Sequence, residues 1–443
     1  MADPPAAGGR ERAPQTAPAG YRAVLANHAF LRLWLAQALS QTAQQTINFA
    51  LLIQVREIVA ERGAGGANTA LSLLIICFAT PPILFSSLAG VAVDRSNKRT
   101  IMAAVNAARG LCISGYLLIG PHWPLLTTLV YIYALCVAFS TVGQLFGPAE
   151  GSTIPLLVPA EQLLNANALF SLTFTGSQLL GFVVLGPILT VVLGLHTVYL
   201  LVVGLYLVCT GLILSLPSTP PNARGAGAAR RSVLDDLREV WRFIGQDRLL
   251  LKGIVYLTIA NSGFLMIATL APEFIAAVLH LGTGKLAVVV TPAGLGMLAG
   301  VVAVGRVGGR LDRERLIDRA LVSAGVLLLA FVFVSTALGN LSPVRGAAWT
   351  PQVLAAVVLA AGLGLANAGI IVPSQTLLQE RAHAAIRARV LSAFFTASNA
   401  AALVPILFAG ILGDLFGVVR VLAAIGALIL ATGLGAEWLR RRH

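Results

Sequence analysis

Twelve stretches of this chain are apolar for about the 20 residues that a helix needs to cross a bilayer's hydrocarbon. They lie at 33–55, 69–93, 101–121, 125–148, 168–193, 196–216, 250–277, 286–309, 316–338, 352–375, 390–413 and 418–438. The pattern predicts an all-α integral membrane protein. Polar positions inside the spans recur at helical spacing. In the first span Gln37, Gln41, Gln44 and Asn48 stand at i, i+4, i+7 and i+11, on one helix face, and Ser40, Gln45 and Thr46 widen it. Amides turned to lipid would cost several kcal/mol each, so this stripe must meet protein or water. A hydrogen-bonded helix seam would satisfy part of it. Four large amides exceed what a seam needs, so the expectation is a water-filled cavity. Tyr133, Gln144, Gln178, Asn261, Asn367 and Asn399 continue the polar lining on later spans.

The order of spans repeats. Gly90, Asp94, Arg95, Lys98 and Arg99 form a charged turn after the second span; Gly308, Asp312 and Arg313 form a similar one after the eighth. Each places Asp four residues after Gly, with Arg next. The chain therefore divides into a six-helix bundle at 33–216 and a second at 250–438. Tandem halves in a membrane chain point to a secondary transporter, with its substrate site near the bilayer midplane. The segment 217–249 between them begins Pro- and Gly-rich, a flexible composition, and continues from Ser232 as an amphipathic pattern with Trp241 beside its apolar stripe. Residues 1–32 read as a disordered tail and 439–443 as a basic end.

Charge sets the orientation. Of 31 Lys and Arg, all but Arg56, Arg62, Lys285, Arg345 and Arg420 fall on one side of the predicted topology. That side is expected to be cytoplasmic, with both termini on it. With 57% hydrophobic and only 11% charged residues the chain cannot be a soluble protein, which carries roughly a quarter charged. The net charge of +13 belongs to the connections between spans and does not imply nucleic acid. The four cysteines lie scattered in apolar segments, no Walker loop is present and the histidines form no cluster. No cofactor, metal or enzymatic activity is expected.

Several motifs carry a family resemblance. The turn Gly90 to Arg99 resembles the loop motif between the second and third helices of the major facilitator superfamily, and the match covers 22–440. Pro155 to Leu169, and Pro272-Glu-Phe with Gly294-Leu-Gly296, resemble the branch holding the enterobactin exporter, macrolide efflux proteins and the lysophospholipid transporter. The resemblance implies a gate at Gly90, Asp94, Arg95, Lys98 and Arg99 that locks the cytoplasmic side, echoed at Gly308, Asp312 and Arg313. That branch carries an acidic residue one turn before Arg109, where this chain has Asn106.

Carboxylates are scarce at depth. Glu273, about a turn from the end of the seventh span, is the candidate coupling residue, with Arg109 as a possible second. The expectation is a monomeric secondary transporter in a bacterial cytoplasmic membrane. It would move a small amphipathic organic compound outward, as an antiporter drawing on protons. A lysophospholipid transporter and a non-transporting sensor or partner protein on the same fold are the alternatives.

Overall fold

The computed structural model describes residues 21–63, 65–94, 96–217, 248–281, 286–307, 312–341, 350–381 and 387–441. Helix α1 (Tyr21–Leu25) is short. It is followed by α2 (His28–Glu61), α3 (Ala67–Asp94), α4 (Lys98–Tyr116), α5 (Leu125–Gly143), α6 (Phe146–Leu157) and α7 (Leu163–Gln178). A π-helical segment, Leu179–Leu185, leads into α8 (Gly186–Leu214). The second half holds α9 (Arg248–Ala277), α10 (Ala287–Val307), α11 (Arg313–Leu341), α12 (Pro351–Arg381), α13 (Arg387–Phe416) and α14 (Val418–Arg441).

These helices make twelve crossings. The fourth is α5 continued by α6 beyond a break at Gln144 and Leu145. The fifth runs from α7 through the π segment to Gly194, whose φ of +76° turns the chain back for the sixth. Residues 21–32, assigned above to the tail, fold as α1 and the first turn of α2. Asn27 caps that turn, its Oδ1 accepting from the amides of Ala29 and Phe30 at 3.0 and 3.2 Å. The linker stretch 218–247 and its amphipathic pattern lie outside the described residues.

The bundle has two ends. The linker end carries the start of α2, the α3–α4 turn and residues 217 and 248. The distal end carries the loop at 62–66, the Gly194 turn and the α13–α14 junction. In the first half α2 and α4 pack on α8, and α3 and α4 on α5. In the second, α10 and α11 pack on α12, and α11 on α14. Among the described residues the halves meet most extensively where α3 packs on α13; the π segment also meets α10, and α9 meets α3 and α2. Leu111, Leu126, Phe333 and Leu428 stand more than two-thirds exposed on the outer wall, an apolar surface suited to lipid and not to water.

Helix α2 is too polar to register as a span by hydropathy alone, yet it is the longest helix described. Its amides lower its hydropathy because the face they occupy is turned away from lipid. Proline inside α3, α9, α10, α12 and α13 is tolerated because neighbouring helices and local adjustments re-satisfy the freed carbonyls.

Candidate functional site

One face of α2 changes chemistry along its length. Counting by helical turns, it presents Gln41, Gln45, Phe49, Ile53 and Arg56 in succession. Gln41, Gln44, Gln45 and Asn48 are half-buried, and Gln37 is buried with its Oε1 unpaired among the described residues. Asn48 donates to Gln45 Oε1 at 3.2 Å. Above the amides, Phe49 and Ile53 enter the hydrophobic core of the second half with Leu270, Phe274 and Ile275 of α9. Phe49 also meets Phe182 edge-on, with ring centroids 5.7 Å apart. One turn further, Arg56 Nε lies 3.4 Å from Glu273 Oε2, an ion pair between the halves. Distal to the amides, α2 thus carries an apolar contact with α9 and, one turn on, an ion pair between the halves.

Other predicted lining residues divide. Tyr133 belongs to a helix seam: its hydroxyl donates to the Ala70 carbonyl of α3 at 2.9 Å. Gln144 donates to the Ser140 carbonyl of its own helix at 2.9 Å. Gln178 is exposed beside the π segment; Asn261 and Asn367 are half-buried on α9 and α12. The side chain of Asn399 lies outside the described ones. Tyr133 and Gln144 each give a hydrogen bond to backbone, and Gln144 keeps its amide oxygen. A tyrosine at helical spacing among apolar residues reads the same from sequence whether its hydroxyl meets water or a carbonyl.

Arg109 is buried in the first half, with its guanidinium over the Phe139 ring at 5.0 Å from the centroid. Gly143 provides the room, since a Cβ there would collide with the guanidinium. Asn106 does not ion-pair as an acid would; it accepts from Ser40 Oγ at 3.1 Å. Arg109 is therefore held by an aromatic face inside one bundle, away from Glu273 and the seam between halves.

The charged turns at the linker end differ. Arg99 donates to the Leu216 carbonyl at 3.0 Å and Arg32 to that of Ser215 at 3.0 Å, so two cations cap the C-terminal end of α8. Lys98 is fully buried, and its Nζ has no partner among the described residues. The side chain of Asp94 and all of Arg95 and Gly308 lie outside the described ones; Gly90 sits in the last turns of α3. In the second copy Asp312 serves its own helix. It accepts from the Glu314 amide at 3.2 Å and pairs with Arg315 at 3.2 Å, and Arg313 follows it in the first turn of α11.

Sequence reasoning missed three features. Asp414, at the distal end of α13, accepts from Asn68 and Thr69 of α3. Glu150 is buried in α6, with Oε1 unpaired among the described residues, although it borders its span in sequence. Gln54 accepts from the Tyr199 hydroxyl at 2.6 Å. A signal existed for the first: α3 has no acid in its own first turn to meet its amides. Among the described residues no cluster of His, Cys, Asp and Glu could hold a metal.

This architecture is shared with known proteins. The model of the Major Facilitator Superfamily matches residues 33–405. The chain belongs to the major facilitator superfamily. Within it, the chain is 25% identical over 370 residues to the uncharacterized MFS-type transporter YfiS of Bacillus subtilis (strain 168), covering 82% of this chain and 83% of that one. In fold it is similar to a bacterial homolog of the human lysosomal transporter Spinster, solved inward-facing and unoccupied. That match has a TM-score of 0.68 and 14% identity over 95% of this chain and 97% of the other. The nucleoside transporter NupG superposes with a TM-score of 0.67 at 12% identity, over 92% and 98%. The D-xylose–proton symporter gives 0.64 at 15%, over 92% and 96%. At these identities the structures speak for the fold alone. The chain is a multi-pass membrane protein of the superfamily.

Proposed function

We propose that this chain is a secondary transporter that moves an uncharged or amphipathic organic solute outward by alternating access. The reading is supported chiefly by the graded face of α2. Amides at Gln41 and Gln45 offer hydrogen bonds without charge, and the Phe49–Ile53–Phe274 plug closes the distal end above them. The charge asymmetry makes the linker end cytoplasmic, so the plug and the Arg56–Glu273 pair form an outer gate. Outward movement follows the motif resemblance at 155–169 and 272–296.

Glu273 is proposed to couple the cycle. Its partner Arg56 sits on the opposite half, so opening the outer gate must break the pair, and protonating Glu273 does the same. Arg109, enclosed within one bundle, has no such lever and is proposed only to brace it. The gate at Asp94, Arg95, Lys98 and Arg99 is proposed to lock the cytoplasmic side when the outer one opens. Asp312 has a local occupation as a helix cap and contributes less.

The test is flux in proteoliposomes under an imposed pH gradient, with fluorescent drugs, siderophores and labelled lysolipids as solutes. The expected result is movement of an amphipathic solute that Gln41→Leu reduces about tenfold, in line with the loss of one or two solute hydrogen bonds. Glu273→Gln is expected to retain flux and lose its dependence on pH. Movement of lysolipid alone replaces the solute class. No movement of any solute under any gradient overturns the reading.

A further inference from the structure

The first turn of α3 is capped by the wrong half of the molecule. Asp414 Oδ1 accepts from the Asn68 amide at 3.1 Å and from Asn68 Nδ2 at 2.9 Å. Its Oδ2 accepts from the Thr69 amide at 2.9 Å and from Thr69 Oγ1 at 2.5 Å. A carboxylate that takes the second and third amides of a helix normally stands just before that helix in sequence. Here that position is Gly66, which has no side chain and a φ of +90°. The acid arrives instead from α13, 346 residues later.

The seam around it is built for close approach. Gly410 and Gly413 lie on the same face of α13 as Asp414. A Cβ on Gly410 would collide with Ser72 Oγ and stand 2.6 Å from the Asn68 carbonyl. On Gly413 it would stand 2.7 Å from Leu270 Cδ2. Ser72 Oγ donates to the Ile406 carbonyl at 2.9 Å one turn deeper. A cap of this kind forms only when the two helices touch at the distal end. When the halves part there, four hydrogen bonds are lost together, and the α3 amides and the carboxylate must both be rehydrated.

We infer that Asp414 is a latch that holds the distal side shut by capping α3 across the seam, and so sets how often that side opens. This rests on the alternating-access reading above and adds to it a residue that touches neither the amide stripe nor the Arg56–Glu273 pair. The charge contributes through the positive end of α3, and the geometry through the paired amides.

The experiment uses full-length protein in nanodiscs, with Cys77, Cys112, Cys136 and Cys209 replaced by alanine. Spin labels go on Gly65→Cys and Arg420→Cys, both exposed at the distal end, one on each half. Pulsed dipolar spectroscopy then reads the distance between halves. Asp414→Asn is expected to raise the long-distance population about five- to tenfold, the ratio expected for losing one charged cap. Glu61→Gln, which removes an exposed charge at the same end, is expected to leave the distribution unchanged. Oxidised Thr69→Cys with Asp414→Cys, in a background labelled through non-cysteine chemistry, is expected to leave only the short distance. An unchanged distribution in Asp414→Asn, with faster hydrogen exchange at the Asn68 and Thr69 amides, would overturn the latch: the cap would then be local. The readout is a distance and not a flux. A protein that moves no solute would sink the transport reading and leave the latch standing.

Discussion

Two seams between the halves are built from different materials. At the α3–α13 seam, Asp414 engages four donors, Ser72 Oγ donates to the Ile406 carbonyl, and Gly410 brings the backbones together. At the seam of the π segment with α10, Thr291 Oγ1 donates to the Val183 carbonyl at 3.1 Å, and a Cβ on Gly294 would collide with the Val183 side chain. The first seam is polar, partly charged and open to water at its end. The second is apolar and lies against a stretch of helix whose ladder has already slipped to i→i+5. Breaking the first means exchanging strong hydrogen bonds for water. Breaking the second means sliding a valine out of a glycine notch. A transporter that must part its halves on one side at a time gains from this asymmetry, since one seam supplies a threshold and the other a pivot. π-Helical turns are frequent at functional sites.

The largest effect is expected from overpacking, and it should fall unequally. Gly410→Val forces a branched side chain against Ser72 Oγ and the Asn68 carbonyl, and the latter is backbone that cannot rotate away. Such overpacking costs about 1–3 kcal/mol, enough to keep the distal side from closing and to cut flux at least tenfold. Gly294→Val would collide first with atoms of the Val183 side chain, whereas Gly410→Val also meets backbone. Its expected cost is near the lower end of that range, with flux reduced about threefold. Transport rates of the two variants, normalised to the amount reconstituted, decide the matter. Equal losses would erase the distinction between threshold and pivot.

The next effect concerns the ion pair beside the first seam. Arg56 and Glu273 are partly exposed, with side chains 11% and 31% accessible, and exposed pairs contribute about 0–1 kcal/mol. Arg56→Gln should therefore shift the distal-open population by no more than about fivefold, less than Asp414→Asn does. Asp318 and Arg440, paired at 2.9 Å within the second half, offer the contrast. Asp318 is 2% exposed, and removing one partner of a buried pair costs about 3–5 kcal/mol. Asp318→Asn is expected to lower the melting temperature of the detergent-solubilised protein by several degrees and to leave the distance between halves unmoved. A distance change in Asp318→Asn would mean that the halves do not move as separate bodies.

Much of this molecule was legible in its sequence, and the limit has a physical form. The spans follow from hydropathy, and Gly194 falls in the short connection between 168–193 and 196–216. The polar stripe of α2 follows from helical spacing. Periodicity names a face and does not name what the face meets. Tyr133 and Gln144, expected as lining, are shown only to hydrogen-bond to backbone carbonyls. Asp312, expected as an echo of the gate, also caps its own helix. Asp414 itself gave no signal in the sequence, because its partners are 346 residues away. Capping rules search the residues next to a helix, and here the capping residue is on the other bundle.

Salt gives the smallest expected effect and the finest separation of the seams. Asp414 is exposed, and its attraction to the positive end of α3 is screened within a Debye length, about 10 Å at 0.1 M and about 3 Å at 1 M. Raising ionic strength across that range should increase the distal-open population of the unmodified protein about twofold. Thr291→Val removes a hydrogen bond across the second seam, worth about 1 kcal/mol, with no charge involved. It should raise the baseline opening several-fold and leave the response to salt intact. Asp414→Asn should do the reverse and abolish that response, because the screened charge is gone. If salt still opens Asp414→Asn, the charge that matters is elsewhere at the distal end. Arg56 and Glu273 then become the group to neutralise next.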